Sequence, residues 1–249
     1  MNQQERLIEI LKLLETEPFL KQETLANHFD ISKDTARRDI LKLVEQDLVE
    51  RVNGGIQLPM IKQQIESYKN RIVTKSAEKK AIAELARPFI LEKQTIWLDV
   101  STTVETISDK PFSSHPLIVT NSIDNAVSFS KNGNDIYLLG GYFQAKSHLL
   151  KGPMVIKELM NFNFDIAFIG ASGISDDGIF FDELDDISLH QQLREQAKQV
   201  VLLIDSSKLN RTTAFKINFD SIDTLITNEP LPENLKQVIQ EQPINLIHP

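Results

Sequence analysis

The sequence predicts an α/β protein of two domains: a small helical domain, followed by a larger Rossmann-like domain with a mainly parallel sheet. Helical periodicity dominates up to residue 43, whereas from Thr95 onward short apolar runs end in small or polar residues and alternate with helical patterns. Continuous Val, Ile and Leu runs of this kind are typical of strands buried on both faces. We place the domains at 1–58 and 76–249, with a linker over 59–75.

The first domain carries the pattern of three short helices followed by a β-hairpin. Apolar residues recur at helical spacing over 7–14, then, after a break at Pro18, over 25–29 and again over 36–43. Ser32 is a good N-cap for the third helix, because its side-chain oxygen can accept from a free backbone N–H of the first turn. The turn at 53–55 closes the hairpin. These elements in this order predict a winged helix-turn-helix.

The third helix presents polar side chains opposite its apolar stripe. At about 100° per residue, Asp34, Thr35, Arg38 and Lys42 lie on that side, with Arg37 on its flank. A DNA major groove would meet this side. A small helical domain with a charged surface is the alternative interpretation, since a motif match is only a hypothesis. The residues predicted to contact DNA are Ser32, Lys33, Asp34, Thr35, Arg37, Arg38, Lys42, Arg51 and Asn53.

Polar clusters follow five apolar runs of the second domain, at 99–103, 120–122, 140–141, 170–173 and 205–208. Because ligands of open α/β sheets bind outside the carboxyl ends of the strands, these clusters would line one crevice. Ser101 to Thr103 offer hydroxyls and backbone N–H groups at a helix start, and Lys208 can pair with a phosphate. Each cluster alone is also explained by the residues that ordinary turns prefer. The prediction of a ligand site therefore depends on all five clusters lying at the same edge of the sheet.

The first domain also contains a specific series of residues: Arg6, Ser32, Thr35, Arg37, Arg38, Asp39, Leu43, Leu48, Arg51, Gly54 and Gly55. With this series, residues 1–60 resemble the amino-terminal domain of the DeoR family of bacterial transcriptional regulators. The sequence departs from the family pattern at Ala36, Asp47 and Asn53, where a larger aliphatic residue, glycine and histidine are usual. These departures concern packing and wing geometry more than groove contacts.

The second domain carries LDVSTT, VTNS, LLGG, a KGP turn, NFDIAFIGASGI, VVLLIDSSK and DTLITN. With these motifs it is similar to the sensor domain of the same family, whose fold resembles ribose-5-phosphate isomerase and which recognises phosphorylated sugars or related metabolites. The resemblance implies effector contact for Asp99, Thr102, Thr103, Thr120, Asn121, Ser122, Gly140, Gly141, Gly170, Asp205 and Lys208. To this set we add Ser101, Lys151, Ser172, Asp182 and Glu183 from the same segments.

Departures from the family pattern cluster in the predicted crevice. They are Ser101 for glycine, Ser172 for aspartate, Phe180 for threonine, Gln144 and Lys146 for arginines, and His190 for lysine. The lost guanidinium groups remove bidentate phosphate recognition, so either the anion is held differently or the effector differs. We expect His190 at the surface of its helix and His148 in a loop.

Composition limits the class of protein. The 249 residues are 41% hydrophobic, enough for a sizeable core, and contain no cysteine and no paired histidines with metal-ligand spacing. No uninterrupted apolar run approaches the roughly 18 residues of a membrane span. The net charge is −8. Residues 1–60 contribute −3 to it, because they hold 8 Lys and Arg against 11 Asp and Glu. A domain that is not basic needs local phosphate contacts and a dimer or tetramer for tight DNA binding.

These features predict a cytoplasmic DNA-binding regulator, a repressor of a sugar or carbohydrate-metabolite operon. Its partners would be double-stranded operator DNA, a phosphorylated sugar or related anion, and further copies of itself as a homodimer or homotetramer. We expect no metal, cofactor, membrane contact or catalysis. The alternative is a sugar-phosphate isomerase-like enzyme with a winged-helix appendage, in which the crevice acids and Lys208 would supply a base and an enediolate stabiliser. Asp182 and Glu183 are either a helix-start pair or contacts to effector hydroxyls.

Overall fold

The computed structural model describes residues 2–17, 19–46, 48–52, 54–58, 76–112 and 114–249. The chain divides into two compact units, Met1–Asn70 and Arg71–Pro249. Pro18, Asp47, the wing residue Asn53 and the predicted linker over 59–75 lie outside the described residues. No helix in the described ranges has the length and apolar character needed to cross a membrane.

The first unit has the predicted winged helix-turn-helix fold. Its elements are α1 (Gln3–Thr16), β1 (Phe19–Lys21), α2 (Gln22–His28), α3 (Lys33–Glu45), β2 (Glu50–Val52) and β3 (Gly55–Gln57). Strand β3 lies between β1 and β2, so the hairpin gains a third strand that the periodicity did not predict. A Cβ at position 55 would lie 2.2 Å from the carbonyl oxygen of Leu20, so glycine is required where β1 and β3 meet.

A buried ion pair joins the first and third helices. Arg6 Nε donates to Asp39 Oδ2 at 2.9 Å and Arg6 Nη2 to Asp39 Oδ1 at 3.3 Å, while Gln3 Nε2 donates to Oδ1 at 2.8 Å. The Asp39 side chain is wholly buried. Its position among Ala36, Ile40 and Leu43, which are also buried, fixes α3 against α1.

The second unit is a three-layer α/β/α sandwich. Its helices are α4 (Ser76–Ala86), α5 (Thr102–Glu105), α6 (Ile123–Ser130), α7 (Pro153–Leu159), α8 (Leu184–Gln196) and α9 (Glu233–Gln240). Its strands are β4 (Thr95–Leu98), β5 (Leu117–Thr120), β6 (Asp135–Leu138), β7 (Tyr142–Gln144), β8 (Leu149–Lys151), β9 (Ile166–Ile169), β10 (Gly173–Ser175), β11 (Gly178–Phe181), β12 (Val200–Leu203), β13 (Phe215–Ile217), β14 (Thr224–Ile226) and β15 (Asn245–Ile247).

The predicted parallel sheet is confirmed. Within the described residues it has seven strands in the order β15-β14-β12-β9-β4-β5-β6, and every neighbouring pair is parallel. The chain enters at β4, extends to β5 and β6, and then continues on the other side of β4 with β9. The order therefore reverses between β4 and β9, and a crevice at their carboxyl ends is the expected ligand site of such a sheet.

Alternate side chains of the central strands enter the two apolar layers. Trp97 packs with the residues of α7, α8 and α9, whereas Ile96 and Leu98 pack with those of α4, α5 and α6. Three features were not predicted: edge strand β15, the hairpin of β7 and β8, and the small antiparallel sheet of β10, β11 and β13.

Candidate functional site

The outward side of α3 is the candidate DNA-binding surface. Ser32 caps the helix as predicted, since its Oγ accepts from Thr35 N at 3.0 Å. The exposed side chains on the described part of this surface are Lys33, Asp34, Arg37, Arg38 and Lys42, with Thr35 half-buried and Arg51 exposed on β2.

Several of these cations are held by neighbouring side chains. Arg38 Nη2 lies 2.9 Å from Asp34 Oδ2 one turn earlier, and Lys33 Nζ lies 2.7 Å from Glu23 Oε1 on α2. Both pairs are largely exposed, where solvent screening leaves an ion pair little net stability. Their low stability means that a DNA phosphate or base edge can displace the carboxylates at little cost.

The switch point between β4 and β9 holds a buried carboxylate with two partners. Asp99 Oδ2 accepts from Gly170 N at 3.1 Å and lies 3.1 Å from His190 Nε2 on α8. The other ring nitrogen of His190, Nδ1, lies 2.7 Å from the carbonyl oxygen of Asp186. The imidazole also stacks on the Phe181 ring, with centroids 4.3 Å apart.

His190 therefore corrects a sequence prediction. It was expected at the surface of its helix, but only 4% of it is exposed. Because the Asp186 carbonyl can only accept, Nδ1 must donate, and Nε2 donates to the Asp99 carboxylate only when the ring carries both protons. The geometry thus favours the imidazolium form. His148 lies as expected between short elements, 3.0 Å from Asp124 Oδ2.

Two pKa values in this cluster are shifted upward. Burial opposes a charge on His190, but the Asp99 carboxylate, by charge and hydrogen bond, outweighs it with help from Asp186 and raises the pKa of His190 above its ordinary value. Burial, followed by the charges of Asp99 and, to a smaller extent, Glu183, raises the pKa of Asp186 to about 6. The charge of His190 opposes this rise but does not cancel it.

We expect the second unit to lose stability as the pH rises. A group whose pKa is higher in the folded state than in the unfolded state stabilises the fold fully at pH values below its unfolded-state pKa. That stability is lost as the pH rises through the folded-state pKa. For Asp186 that window runs from about 4 to about 6, and for His190 it begins above 6.5. The measurement is unfolding followed by fluorescence of Trp97, the single tryptophan, which is buried in this unit.

The control pair for this prediction is two histidine substitutions. His190→Gln is expected to flatten the pH dependence above 6.5, whereas His248→Gln, at an exposed position, is expected to preserve it. Two results would show that His190 is not held as the imidazolium. One is a wild-type unfolding midpoint that stays constant as the pH rises from 6.5 to 9, and the other is a midpoint that decreases equally with pH in the wild type and in His190→Gln.

Ser101 and Thr103 lie beside this cluster. Ser101 caps α5, with its Oγ 3.3 Å from Thr103 N. A Cβ at Gly170 would lie 2.5 Å from Ser101 Oγ, so glycine is required where the end of β9 meets this cap. Thr103 is 1% exposed, and its Oγ1 is a buried atom without a hydrogen-bond partner among the described residues. An unsatisfied buried hydroxyl needs an explanation, and a ligand or water contact is one.

The cluster after β5 is mostly engaged by the backbone. Thr120 Oγ1 donates to the Leu98 carbonyl at 2.6 Å and accepts from Ser122 N, while Ser122 Oγ accepts from Asn125 N at 3.1 Å. Asn121 Nδ2 donates to the Leu150 carbonyl at 2.9 Å, and its Oδ1 is a second buried atom without a partner within the described chain. Of the three predicted contacts here, Asn121 keeps a group for a ligand.

An ion-pair cluster joins the end of β8 to the start of α8. Lys151 Nζ, at the end of β8, lies 3.1 Å from Glu183 Oε2 and 3.8 Å from Asp185 Oδ2, and Gln144 Nε2 donates to Glu183 Oε1 at 3.0 Å. Burial opposes the charge of Glu183, but the hydrogen bonds from Gln144 and Lys151 outweigh it and lower the pKa of Glu183. Gln144, which stands where the family pattern commonly has an arginine, thus binds the Glu183 carboxylate.

The remaining predicted residues lie at the same sheet edge. Lys208 Nζ donates to the Ala171 carbonyl at 2.7 Å, and Ser172 Oγ donates to Asp182 Oδ2 at 2.7 Å. Asp205 is buried and accepts from Ser207 N at 3.0 Å. Thr102 is half-buried at the start of α5, Gly140 N donates to Glu158 Oε2 at 2.9 Å, and Gly141 follows it exposed.

The structure therefore joins Asp99, Ser101 and Gly170 directly, and Lys208 and Ser172 through residues 170–172. Lys151 and Glu183 form a second group, and the 120–122 cluster contacts the chain next to both groups, through the Leu98 and Leu150 carbonyls. Sequence reasoning missed Asp186 and the role of His190, although their i, i+4 spacing on one helix was a usable signal. Among the described residues, no group of three His, Asp or Glu side chains has the arrangement of a metal site.

A winged helix-turn-helix unit and an α/β unit with a polar crevice on the same chain define a class of protein, the DNA-binding regulators with a sensor domain. Comparison with known families identifies the group. The DeoR-like helix-turn-helix domain matches residues 6–62, and the DeoR C terminal sensor domain matches residues 74–229. The chain belongs to the DeoR family of transcriptional regulators.

Curated relatives are similar over most of their length. The HTH-type transcriptional repressor GlcR of Bacillus subtilis is 39% identical over 92% of this chain and 89% of its own. The glycerol-3-phosphate regulon repressor of Escherichia coli is 28% identical over 99% of both chains. Similar solved structures include a D-ribose-5-phosphate isomerase in complex with phospho-erythronic acid, with 17% identity, a TM-score of 0.39 and 54% of each chain covered.

Proposed function

We propose that this protein represses a carbohydrate-metabolite operon by inserting α3 into the major groove of operator DNA. The observation that carries the proposal is the exposed polar side of α3, with Arg37, Arg38 and Lys42. The opposite side of the helix is held against α1 by the buried ion pair of Arg6 and Asp39. The names of GlcR and of the glycerol-3-phosphate regulon repressor support repression. The proposed place of action is the cytoplasm, because operator DNA lies there.

The proposed effector is a small phosphorylated sugar or related anion in the crevice between β4 and β9. Ser101, Thr102 and Thr103 would hold the phosphate with help from Lys208, while Asp99, Asn121 and Asp205 would hold hydroxyls. The unpartnered buried oxygens of Thr103 and Asn121 support this assignment. Such a ligand weakens operator binding only to the extent that it binds the DNA-incompetent state more tightly than the DNA-competent state.

The ion-pair cluster adds a condition on the effector. Lys151 is already paired with Glu183 and Asp185, so an anion that recruits Lys151 must displace these carboxylates. Glu183 and Asp185 would then become free to accept from sugar hydroxyls. A ligand with a phosphate at one end and hydroxyls at the other satisfies both requirements.

Calorimetry against a panel of sugar phosphates and their unphosphorylated parents tests the effector site. Thr103→Val combined with Lys208→Ala is expected to weaken binding roughly 10- to 100-fold, because a hydrogen bond to a charged group contributes about 1.5–3 kcal/mol. Valine is a suitable replacement, since the Thr103 hydroxyl has no partner to lose among the described residues. The matched control is Lys131→Ala, at an exposed position after α6.

Two outcomes would refute the site: a parent sugar that binds as tightly as its phosphate, or a double variant that binds like Lys131→Ala. The same samples test the absence of catalysis. A base needs a free carboxylate, whereas Asp99 and Asp205 already accept hydrogen bonds from Gly170, His190 and Ser207, which supports a binding role. Turnover of any sugar phosphate in the panel would favour the isomerase-like alternative.

We also propose that the protein is a homodimer or homotetramer assembled through the second unit. A two-fold symmetric assembly would present two α3 helices to repeated half-sites. The charge of residues 1–60, with 8 Lys and Arg against 11 Asp and Glu, makes one copy a weak DNA ligand.

A further inference from the structure

The buried pair of Asp99 and His190 engages only one oxygen of the carboxylate. Gly170 N and His190 Nε2 both lie 3.1 Å from Asp99 Oδ2. Asp99 Oδ1 accepts no hydrogen bond from the described residues, and 8% of the Asp99 side chain remains exposed. The imidazole therefore fixes the carboxylate through Oδ2 and leaves Oδ1 as an acceptor for a donor group of a ligand.

The charge of this carboxylate opposes the binding of an anion in the same crevice. Gly170 contacts both Asp99, through its N–H, and Ser101, whose Oγ would lie 2.5 Å from a Cβ at position 170. Asp99 is thus close to Ser101 and Thr103, where the phosphate of the effector is proposed to bind. Like charges repel more strongly in a buried site than in water, so the Asp99 carboxylate needs a compensating charge. The imidazolium of His190 supplies it.

Two charged groups of the described chain act on the His190 ring, Asp99 from the end of β4 and Asp186 from the preceding turn of α8. Charged side chains on or next to the other elements that pack against α8 are exposed or bonded elsewhere; they are Lys157, Glu158, Asp182, Lys216 and Asp220. Asp186, with a pKa of about 6, is largely ionised above pH 6.5. His190, whose pKa is raised above its ordinary value, is therefore the member of this cluster that loses its charge at higher pH.

We propose that His190 is a positioning residue of the effector site, whose imidazolium holds and neutralises Asp99 so that the crevice accepts an anion only while the ring is protonated. This inference rests on the effector site proposed above and adds its regulation by pH. When Nε2 loses its proton, a lone pair faces Asp99 Oδ2 at 3.1 Å, because Nδ1 keeps its proton for the Asp186 carbonyl. The crevice then carries the full charge of Asp99, and the carboxylate loses one of its two fixed partners.

The residue type at position 190 decides whether this charge responds to pH. Lysine, which the family pattern has here, would stay protonated beside Asp99 up to a much higher pH than histidine. Histidine at this position thus replaces a lasting positive charge with one that is lost near neutral or mildly alkaline pH. A bound anion should in return raise the pKa of His190, because coupling between two binding events is reciprocal.

Calorimetric titration of the full chain with sodium sulfate tests this role. Sulfate is a tetrahedral dianion whose charge is the same at pH 6.5 and pH 9, and sodium chloride keeps the ionic strength constant. The wild-type affinity is expected to fall roughly tenfold from pH 6.5 to pH 9, because the anion then meets the uncompensated charge of Asp99. His190→Lys is expected to change less than about twofold over this range, whereas His248→Gln, at an exposed position, is expected to keep the wild-type dependence.

Saturable sulfate binding with equal wild-type affinity at the two pH values would overturn the role of His190 and leave the anion site standing. An equal fall in the wild type and in His190→Lys would overturn it too, since another group would then be titrating. No saturable sulfate binding at either pH would refute the anion site of the proposed function itself. Trp97 fluorescence checks that the second unit is folded in each sample, and if His190→Lys does not fold, the wild-type pH profile decides.

Discussion

An Asp39→Ala variant is expected to lose about 3–5 kcal/mol of the free energy of unfolding of the first unit, because it removes the carboxylate from a buried ion pair with the Arg6 guanidinium. The two side chains are 0% and 11% exposed, so water cannot replace the lost carboxylate. A unit of this size has little stability to spare, and we expect it to be largely unfolded. The measurement is thermal unfolding followed by far-ultraviolet circular dichroism.

Asp34→Ala is the matched control, because it removes an aspartate from the same helix that pairs with Arg38 at the surface. An exposed pair contributes roughly 0–1 kcal/mol, so its transition should stay close to that of the wild type. Trp97 fluorescence reports the second unit in both variants and should not change. Equal circular dichroism transitions for Asp39→Ala and Asp34→Ala would show that the buried pair does not hold α1 against α3.

Arg37→Ala and Arg38→Ala are expected to weaken operator binding while both units remain folded. Both side chains are exposed on α3, so neither substitution removes core packing. A base-reading arginine contributes about 1–3 kcal/mol, or roughly 5- to 150-fold in affinity, and a phosphate contact contributes less and equally on any sequence. Competition gel shifts with operator and unrelated DNA separate the two roles.

Lys12→Ala is the control for these variants, since it removes an exposed cation from α1, in the same unit. Its effect on operator affinity should be small. If both arginine variants gave the wild-type footprint and affinity, α3 would not be the recognition helix. Loss of binding in Lys12→Ala as large as in Arg38→Ala would instead indicate a general charge effect.

The sequence predicted the framework because its signals are local. The stripe of Ala36, Ile40 and Leu43 and the cap at Ser32 depend on neighbours within a few turns, and the structure confirms both. Buried strands such as Val200–Leu203 are also local runs of apolar residues. Hence the fold class and strand ends were predictable, and with them the edge of the sheet where a ligand would bind.

Long-range pairs account for what was missed. Arg6 and Asp39 were recognised as part of the family pattern, but their contact spans 33 positions and has no local signal. His190 looked like a surface histidine because its partner, Asp99, lies 91 residues earlier. A buried polar pair of this kind becomes visible only when the sheet brings α8 to the end of β4.

The most direct test of the central claim is the binding of the full chain to DNA from upstream of the operon that encodes it. Fluorescence anisotropy with labelled fragments should find saturable binding to one stretch that a scrambled fragment of equal composition does not reproduce, and the affinity should fall as the salt concentration rises. Addition of a phosphorylated sugar from the calorimetry panel should shift that affinity. Equal binding to operator and scrambled fragments, with no dependence on salt or on any sugar phosphate, would contradict the account.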